Sequence, residues 1–345
     1  MVDFMTKRKS QLKISSIGDL VRQGKIKNGV TSVDTSQFIY GPHYVDKCVR
    51  KWSKKDILGI IGGAGSGKTT FVLNSFFHIL KNNPDNDGVV VFVSLEMTAQ
   101  EVATKWFKLV QDYPEFSDRL YIIENYDENG ICKTLTTRDI SNELTKIKTT
   151  LGVDILSFCI DHLHEINIES GLNDYNPTMK ELKNIAVELD SLGMVLSQTT
   201  KGKAGVGDIP IDKSGSFGCS KFEWISTYVM SISQPLIRVQ KHCDMPVLAF
   251  QYGKIRYKNK LDKVKESMNY LLMYDFETEQ LRELNNAEKS EFAIWLEQCI
   301  ELREAEEKYK SYAYDTSKVI KGKDGKEVVL SSTVGGETPS KYLED

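Results

Sequence analysis

The chain has 345 residues, long enough for one large α/β domain with or without appendages, and its 40% apolar and 27% charged residues are those of an ordinary globular protein. No apolar run approaches the roughly 20 residues that a helix needs to cross a bilayer, and residues 1–15 carry basic side chains with no apolar stretch behind them, so neither membrane association nor a secretory leader is expected. The six cysteines (Cys48, Cys132, Cys159, Cys219, Cys243 and Cys299) are scattered without a C-x-x-C pair, which argues against a disulfide scaffold or zinc ribbon and predicts reduced thiols in the cytoplasm.

Taken in chain order, residues 1–40 are mixed and polar, an N-terminal arm with one short helix predicted around residues 16–23. A regular pattern follows over residues 41–280. Apolar runs recur at 57–61, 89–95, 120–123, 155–160, 194–196, 228–232 and 247–250. Most are short, β-branched and continuous rather than alternating, the mark of strands buried on both faces of a parallel sheet; Cys159 lies in one of them as a small core residue. Helical segments separate several of these runs. Asn176 and Pro177 form an expected N-cap and first-turn pair, after which Met179, Leu182, Ile185, Ala186 and Leu189 share one apolar face, with Gly193 expected to close the helix. Alternating strands and helices predict an α/β fold with a mostly parallel sheet flanked by helices. Residues 281–315 are predicted to form a charged C-terminal helix centred on 286–312, its apolar stripe being Phe292, Trp295, Leu296 and Cys299. Residues 316–345 hold few large apolar side chains and are expected to be a mobile tail.

The sharpest motif is Gly62-Gly63-Ala64-Gly65-Ser66-Gly67-Lys68-Thr69, which fits G-x-x-x-x-G-K-[ST], follows an apolar run and opens a helical segment at 71–80. Glycines let the backbone curl so that its N–H groups, aided by the helix N-terminus, face phosphates. Lys68 is expected to reach the β- and γ-phosphates of ATP and Thr69 to ligate Mg²⁺, with Thr70 completing the nucleotide-binding segment. Asn259-Lys260-Leu261-Asp262 spells the N-K-x-D of guanine recognition, but it sits in a lysine-rich stretch and is read as coincidence.

Other candidates lie at strand ends, where open α/β sheets bind ligands. Asp161 ends the run 155–160 and is the candidate carboxylate on the Mg²⁺ side. Glu96 follows the run 89–95 and is placed to act as general base on the attacking water. Gln198 ends a third run, where its amide can sense the γ-phosphate. His162 and His164 invite a metal reading that lacks a third spaced ligand. The net charge of −3 conceals a basic cluster (Lys254, Arg256, Lys258, Lys260, Lys263 and Lys265) opposed only by Asp262.

Read together and in order, the P-loop, Ser-Leu-Glu-Met around Glu96, Asp-His-Leu-His from Asp161, Leu-Ser-Gln ending at Gln198, and Lys254-Ile-Arg256 resemble the RecA-like motor domain of the DnaB family of replicative hexameric helicases. The resemblance covers about residues 40–275. It implies that Glu96 is the catalytic base, that Gln198 senses the γ-phosphate, and that Lys254 and Arg256 reach the nucleotide of a neighbouring subunit. It implies a homo-oligomer, a hexamer, moving on single-stranded DNA with ATP and Mg²⁺, and a primase or helicase loader as a further partner. Lys201, Lys203 and Lys213, in the glycine-rich loop after Gln198, are the candidate DNA contacts, although the Asn-Arg that the family carries after this glutamine is missing. A RecA-like recombinase, or a nucleotide-gated loader without unwinding activity, remains open as an alternative.

Overall fold

The computed structural model describes residues 22, 26–27, 30–31, 38–46, 52–84, 86–126, 130–167, 175–198, 222–233, 245–256, 269–295, 297, 319–321 and 327–329. Among them, nine strands form the central sheet: β1 (Ile57–Gly62), β2 (Val89–Ser94), β3 (Leu120–Glu124), β4 (Ile155–Asp161), β5 (Leu192–Gln198), β6 (Tyr228–Ser233), β7 (Val247–Ile255), β8 (Asn269–Tyr274) and β9 (Leu281–Glu283). Their spatial order is β9-β8-β7-β6-β1-β5-β4-β2-β3. From β3 to β6 every neighbour is parallel. The continuous apolar runs have the cause expected of them: all residues of β1, β2 and β4 are buried, because helices cover both faces of the sheet.

Alternation of side chains along each strand sorts the core into two layers. Leu58, Ile60, Val90, Phe92 and Cys159 pack with α1 (Lys68–Asn82) and α2 (Ala99–Leu109) on one face. Ile57, Ile61, Val91, Val93 and Ile160 pack with α3 (Thr137–Leu151) and α4 (Asn176–Leu189) on the other. Truncating one of these fully buried leucines or isoleucines to alanine costs about 2–5 kcal/mol. Capping boxes start α2 (Thr98 with Glu101) and α3 (Thr136 with Asp139), so their first amides are satisfied within the chain. Helix α1 differs. Its N-cap is Gly67, which has no side chain to cap it.

Several expectations are corrected. Helix α4 has the predicted apolar face, but Tyr175 is its N-cap and Asn176 is already helical; no side chain caps this end. The helix ends at Asp190, in the left-handed region at φ 57°, not at Gly193. Gly193 lies inside β5, where an added Cβ would sit 2.5 Å from Ile57 Cδ1 on the neighbouring strand. The run at 247–250 belongs to β7, which is antiparallel to β6, as are β8 and β9 to their neighbours. A continuous apolar run encodes burial on two faces and says nothing of strand direction.

Asn74 of α1 ties the last hairpin to the core: its Nδ2 donates to Glu279 O at 2.8 Å and its Oδ1 accepts from Leu281 N at 2.8 Å. Residues 286–295 are helical as expected, and Phe292 is buried in a small cluster with Val247, Met273 and Leu284; Leu296 and Cys299 lie outside the described residues. Within the segment expected to be a mobile tail, Val319–Lys321 pairs antiparallel with Glu327–Val329. The expected helix at 16–23 lies outside the described residues, apart from Arg22, which is helical. Among the described residues no helix is long and apolar enough to cross a membrane.

Candidate functional site

Strands β1, β5, β4 and β2 lie side by side, parallel, and end at the same edge. Register pairs Gly62 with Gln198 and Ser94 with Asp161, so the glycine-rich loop after β1, Gln198, Asp161 and Glu96 share one rim. This is where ligands bind in open α/β sheets.

The loop has the conformation its glycines permit. Gly65 and Gly67 adopt φ 69° and 94°, and a Cβ on Gly67 would stand 2.3 Å from Leu248 Cδ1. Gly67 therefore meets two demands, a left-handed backbone and a close neighbour, that no other residue satisfies. It also leaves the first-turn amides of α1 without a side-chain cap, at the positive end of a 15-residue helix. Lys68 lies almost wholly buried within the loop, its Nζ donating to Gly62 O at 3.0 Å and Gly63 O at 2.8 Å. Burial lowers its pKa, with Asp161 and Glu96 pulling against that shift. Thr70 follows in the first turn of α1.

Thr69 Oγ1 donates to Asp161 Oδ2 at 2.8 Å, joining α1 to the end of β4. Burial pushes the Asp161 carboxyl up to about 6; the Thr69 hydrogen bond opposes this, Glu96 adds to it and Lys68 opposes it. A hydroxyl and a carboxylate side by side are hard oxygen donors, the set that suits Mg²⁺ beside a phosphate.

Glu96 stands just beyond β2 with its side chain 46% exposed. Its Oε1 accepts from Gln198 Nε2 at 3.3 Å, and His162 Nδ1 approaches the same oxygen at 3.3 Å. The imidazole of His162 is 3% exposed, and its pKa falls to about 4 through burial, then through His164, with Glu165 opposing and Lys68 lowering it further. The imidazole is thus neutral at physiological pH. The peptide bond between Asp161 and His162 is cis. The two histidines do not form a ligand pair: their rings meet edge-on at 5.3 Å, and His164 packs on Tyr175, whose hydroxyl donates to His164 O at 2.9 Å. Among the described residues, the donor atoms of Glu96, Asp161 and His162 converge within 4.8 Å of one another. Sequence reasoning noted His162 with His164 and found no third ligand; the fold brings Glu96 and Asp161 to His162 instead. The only available signal was its position, one residue after a strand-end acid.

Lys254 and Arg256 sit elsewhere. Lys254 faces Val229 on β6, and Val229 faces Gly59 on β1, three residues before the loop. That spacing sets them about 10 Å toward the opposite rim of the sheet. Lys254 Nζ donates to Ser226 O at 3.0 Å and to Glu223 O, and Arg256 donates to Trp224 O at 2.9 Å. Both cations thus hold the carbonyl end of the helical turn Phe222–Ile225, away from the chain's own loop. Lys201, Lys203 and Lys213 lie outside the described residues.

A buried lysine in a glycine loop at a helix N-terminus, beside a threonine–aspartate pair at a strand end, defines the P-loop class of nucleotide-binding proteins. The chain belongs to the AAA domain family, whose model matches residues 24–204. No curated protein sequence matches it significantly. Among solved structures it is similar to one of an isolated ATPase domain, at 16% identity over 73% of this chain and 94% of that one, with a TM-score of 0.56. It is also similar to a DnaB-like replicative helicase studied with its interactions with primase, at 16% identity, 74% of this chain and 65% of that one, with a TM-score of 0.59. The fold is therefore the RecA-like P-loop ATPase fold that the sequence resemblance implied.

Proposed function

We propose that this protein is an ATP-driven DNA helicase motor that assembles as a ring, a hexamer, and moves along single-stranded DNA. The observation that carries this reading is the separation of two sets of groups. Lys68, Thr69, Asp161, Glu96 and Gln198 gather at one rim of the sheet, while Lys254 and Arg256 are held toward the other. Beyond its bond to Trp224 O, a guanidinium on that rim can meet a nucleotide only on a neighbouring subunit. In a ring, each subunit presents that rim to the next.

The loop from Gly62 to Thr70 would cradle the phosphates through its backbone amides, with Lys68 exchanging its two carbonyl partners for β- and γ-phosphate oxygens. Thr69 and Asp161 are the residues that would hold Mg²⁺, which when bound neutralises phosphate charge. Glu96 would take the proton of the attacking water, and Gln198, already bonded to Glu96, would report the γ-phosphate to the loop that follows it. Arg256 and Lys254 of one subunit would stabilise charge on the phosphoryl group bound to the next. Lys201, Lys203 and Lys213 would grip the DNA backbone without reading sequence. A primase or loader is a further partner on the same reading, supported by the interaction named for the DnaB-like relative.

The test is ATP turnover with and without single-stranded DNA. The proposal expects turnover to rise severalfold with DNA and to vanish in Lys68→Ala; turnover indifferent to DNA speaks against a translocating motor.

A further inference from the structure

Glu96 has its side chain 46% exposed, and a half-exposed carboxylate just beyond a strand has several rotamers open to it. Two nitrogens nevertheless converge on one of its oxygens. Gln198 Nε2 and His162 Nδ1 each stand 3.3 Å from Oε1, and neither of these contacts involves Oε2. The two anchors differ in kind. Gln198 is at the mouth of the site, whereas His162 is 3% exposed, packed edge-on against His164 and carried by the residue next to Asp161. Its Nδ1 is buried and makes no hydrogen bond among the described residues, so its 3.3 Å contact with Glu96 Oε1 is a close approach. A buried nitrogen without a partner is costly, and a carboxylate acceptor, Oε1 of Glu96, stands 3.3 Å away.

We propose that His162 is a positioning residue for hydrolysis: its Nδ1–H holds Oε1 of Glu96, so that Oε2 is presented to the attacking water. This rests on the reading of Glu96 as the general base. It also gives the immediate neighbour of Asp161 a task distinct from metal binding. Asp161 and Thr69 supply oxygen donors on the cation side, while His162, one residue further on, orients the base across the site. Since a misplacement of about 1 Å can cost 10²-fold in rate, a fixed rotamer at Glu96 is worth one buried imidazole.

The experiment compares His162→Asn with His162→Leu. The two replacements are close in size, and only asparagine offers an N–H at the position of Nδ1. Steady-state ATP turnover, equilibrium nucleotide binding, Mg²⁺ half-saturation and melting temperature are measured for each, alone and in a Glu96→Gln background. The expected result is that His162→Leu lowers kcat by about 10- to 100-fold with KM, nucleotide affinity and Mg²⁺ half-saturation little changed. His162→Asn should recover most of that loss. In the Glu96→Gln background His162→Leu should cost nothing further, because it acts only through the carboxylate. Equal losses in both variants, a loss that multiplies on Glu96→Gln, or a shifted Mg²⁺ requirement each overturn the proposal and make the residue structural or a ligand. If Glu96→Gln alone turns over like wild type, the general-base reading falls, and the positioning role falls with it. If Glu96→Gln is inactive but His162→Leu is normal, only the positioning role falls.

Discussion

Thr69 and Asp161, 92 residues apart in the chain, are joined by a 2.8 Å hydrogen bond from Oγ1 to Oδ2. The bond closes α1 onto the end of β4 and lays two hard oxygens side by side, next to the buried ammonium of Lys68. It only partly relieves the cost of burying Asp161, whose pKa still lies near 6.

That residual cost predicts a pH dependence. Between about pH 4 and 6 the folded chain keeps a proton on Asp161 that an ordinary aspartate has already released, so the folded state binds more protons than the unfolded one. Stability should therefore fall as pH rises through this window and stay level above it, by on the order of 3 kcal/mol at most. The charged groups that act on Asp161 are Glu96 and Lys68, of which Glu96 deepens the effect. Asp161→Asn should melt higher than wild type at pH 8 without nucleotide and lose the slope. Mg²⁺ should raise the melting temperature of wild type but not of the variant.

Lys68 donates to the carbonyls of Gly62 and Gly63. Lys68→Ala should keep the fold, at a cost of about 1 kcal/mol per lost hydrogen bond, and lower ATP turnover by about 10²-fold or more. Circular dichroism and steady-state hydrolysis check the two halves. Normal turnover in a folded variant removes the loop from the chemistry.

Much of this site was legible because its residues are strand-end punctuation. Gly62, Asp161, Gln198 and Glu96 each end or follow a buried apolar run, and parallel strands carry such ends to one edge. Direction and pairing were less legible. The apolar run of β7 looks like those of the parallel strands, yet β7 runs the other way. Gly193 read as a helix stop because glycine serves that role often; its reason here, a close approach to Ile57, belongs to a neighbouring strand 136 positions earlier in sequence. His162 read only as one of a histidine pair lacking a third ligand, since one chain position cannot reveal that its Nδ1 approaches a carboxylate contributed by the segment after β2.

The basic residues of the segment after Gln198 give a salt-dependent prediction. Replacing Lys201 and Lys203 with alanine should weaken binding to single-stranded DNA and reduce the log–log salt slope by about 0.7 for each lost phosphate contact. Basal ATP turnover should persist while its stimulation by DNA falls. Unchanged affinity moves the binding surface elsewhere.

The opposite rim gives a test of assembly. Arg256, bonded in its own chain to Trp224 O, should be dispensable for ATP binding and needed for hydrolysis. Arg256→Ala and Lys68→Ala subunits should each be inactive alone. Mixed, they form interfaces that combine an intact loop from one with an intact arginine from the other, so part of the activity should return. Mutants that co-assemble without rescue rule out an arginine acting between subunits.

The proposed helicase motor can be read on a forked DNA duplex with one labelled strand. Wild-type protein with ATP and Mg²⁺ is predicted to release the labelled strand, and Lys68→Ala and Arg256→Ala are predicted to leave the duplex intact. DNA-stimulated ATP turnover by the wild type with no strand released would contradict the claim and make the protein a nucleotide-gated binder of DNA.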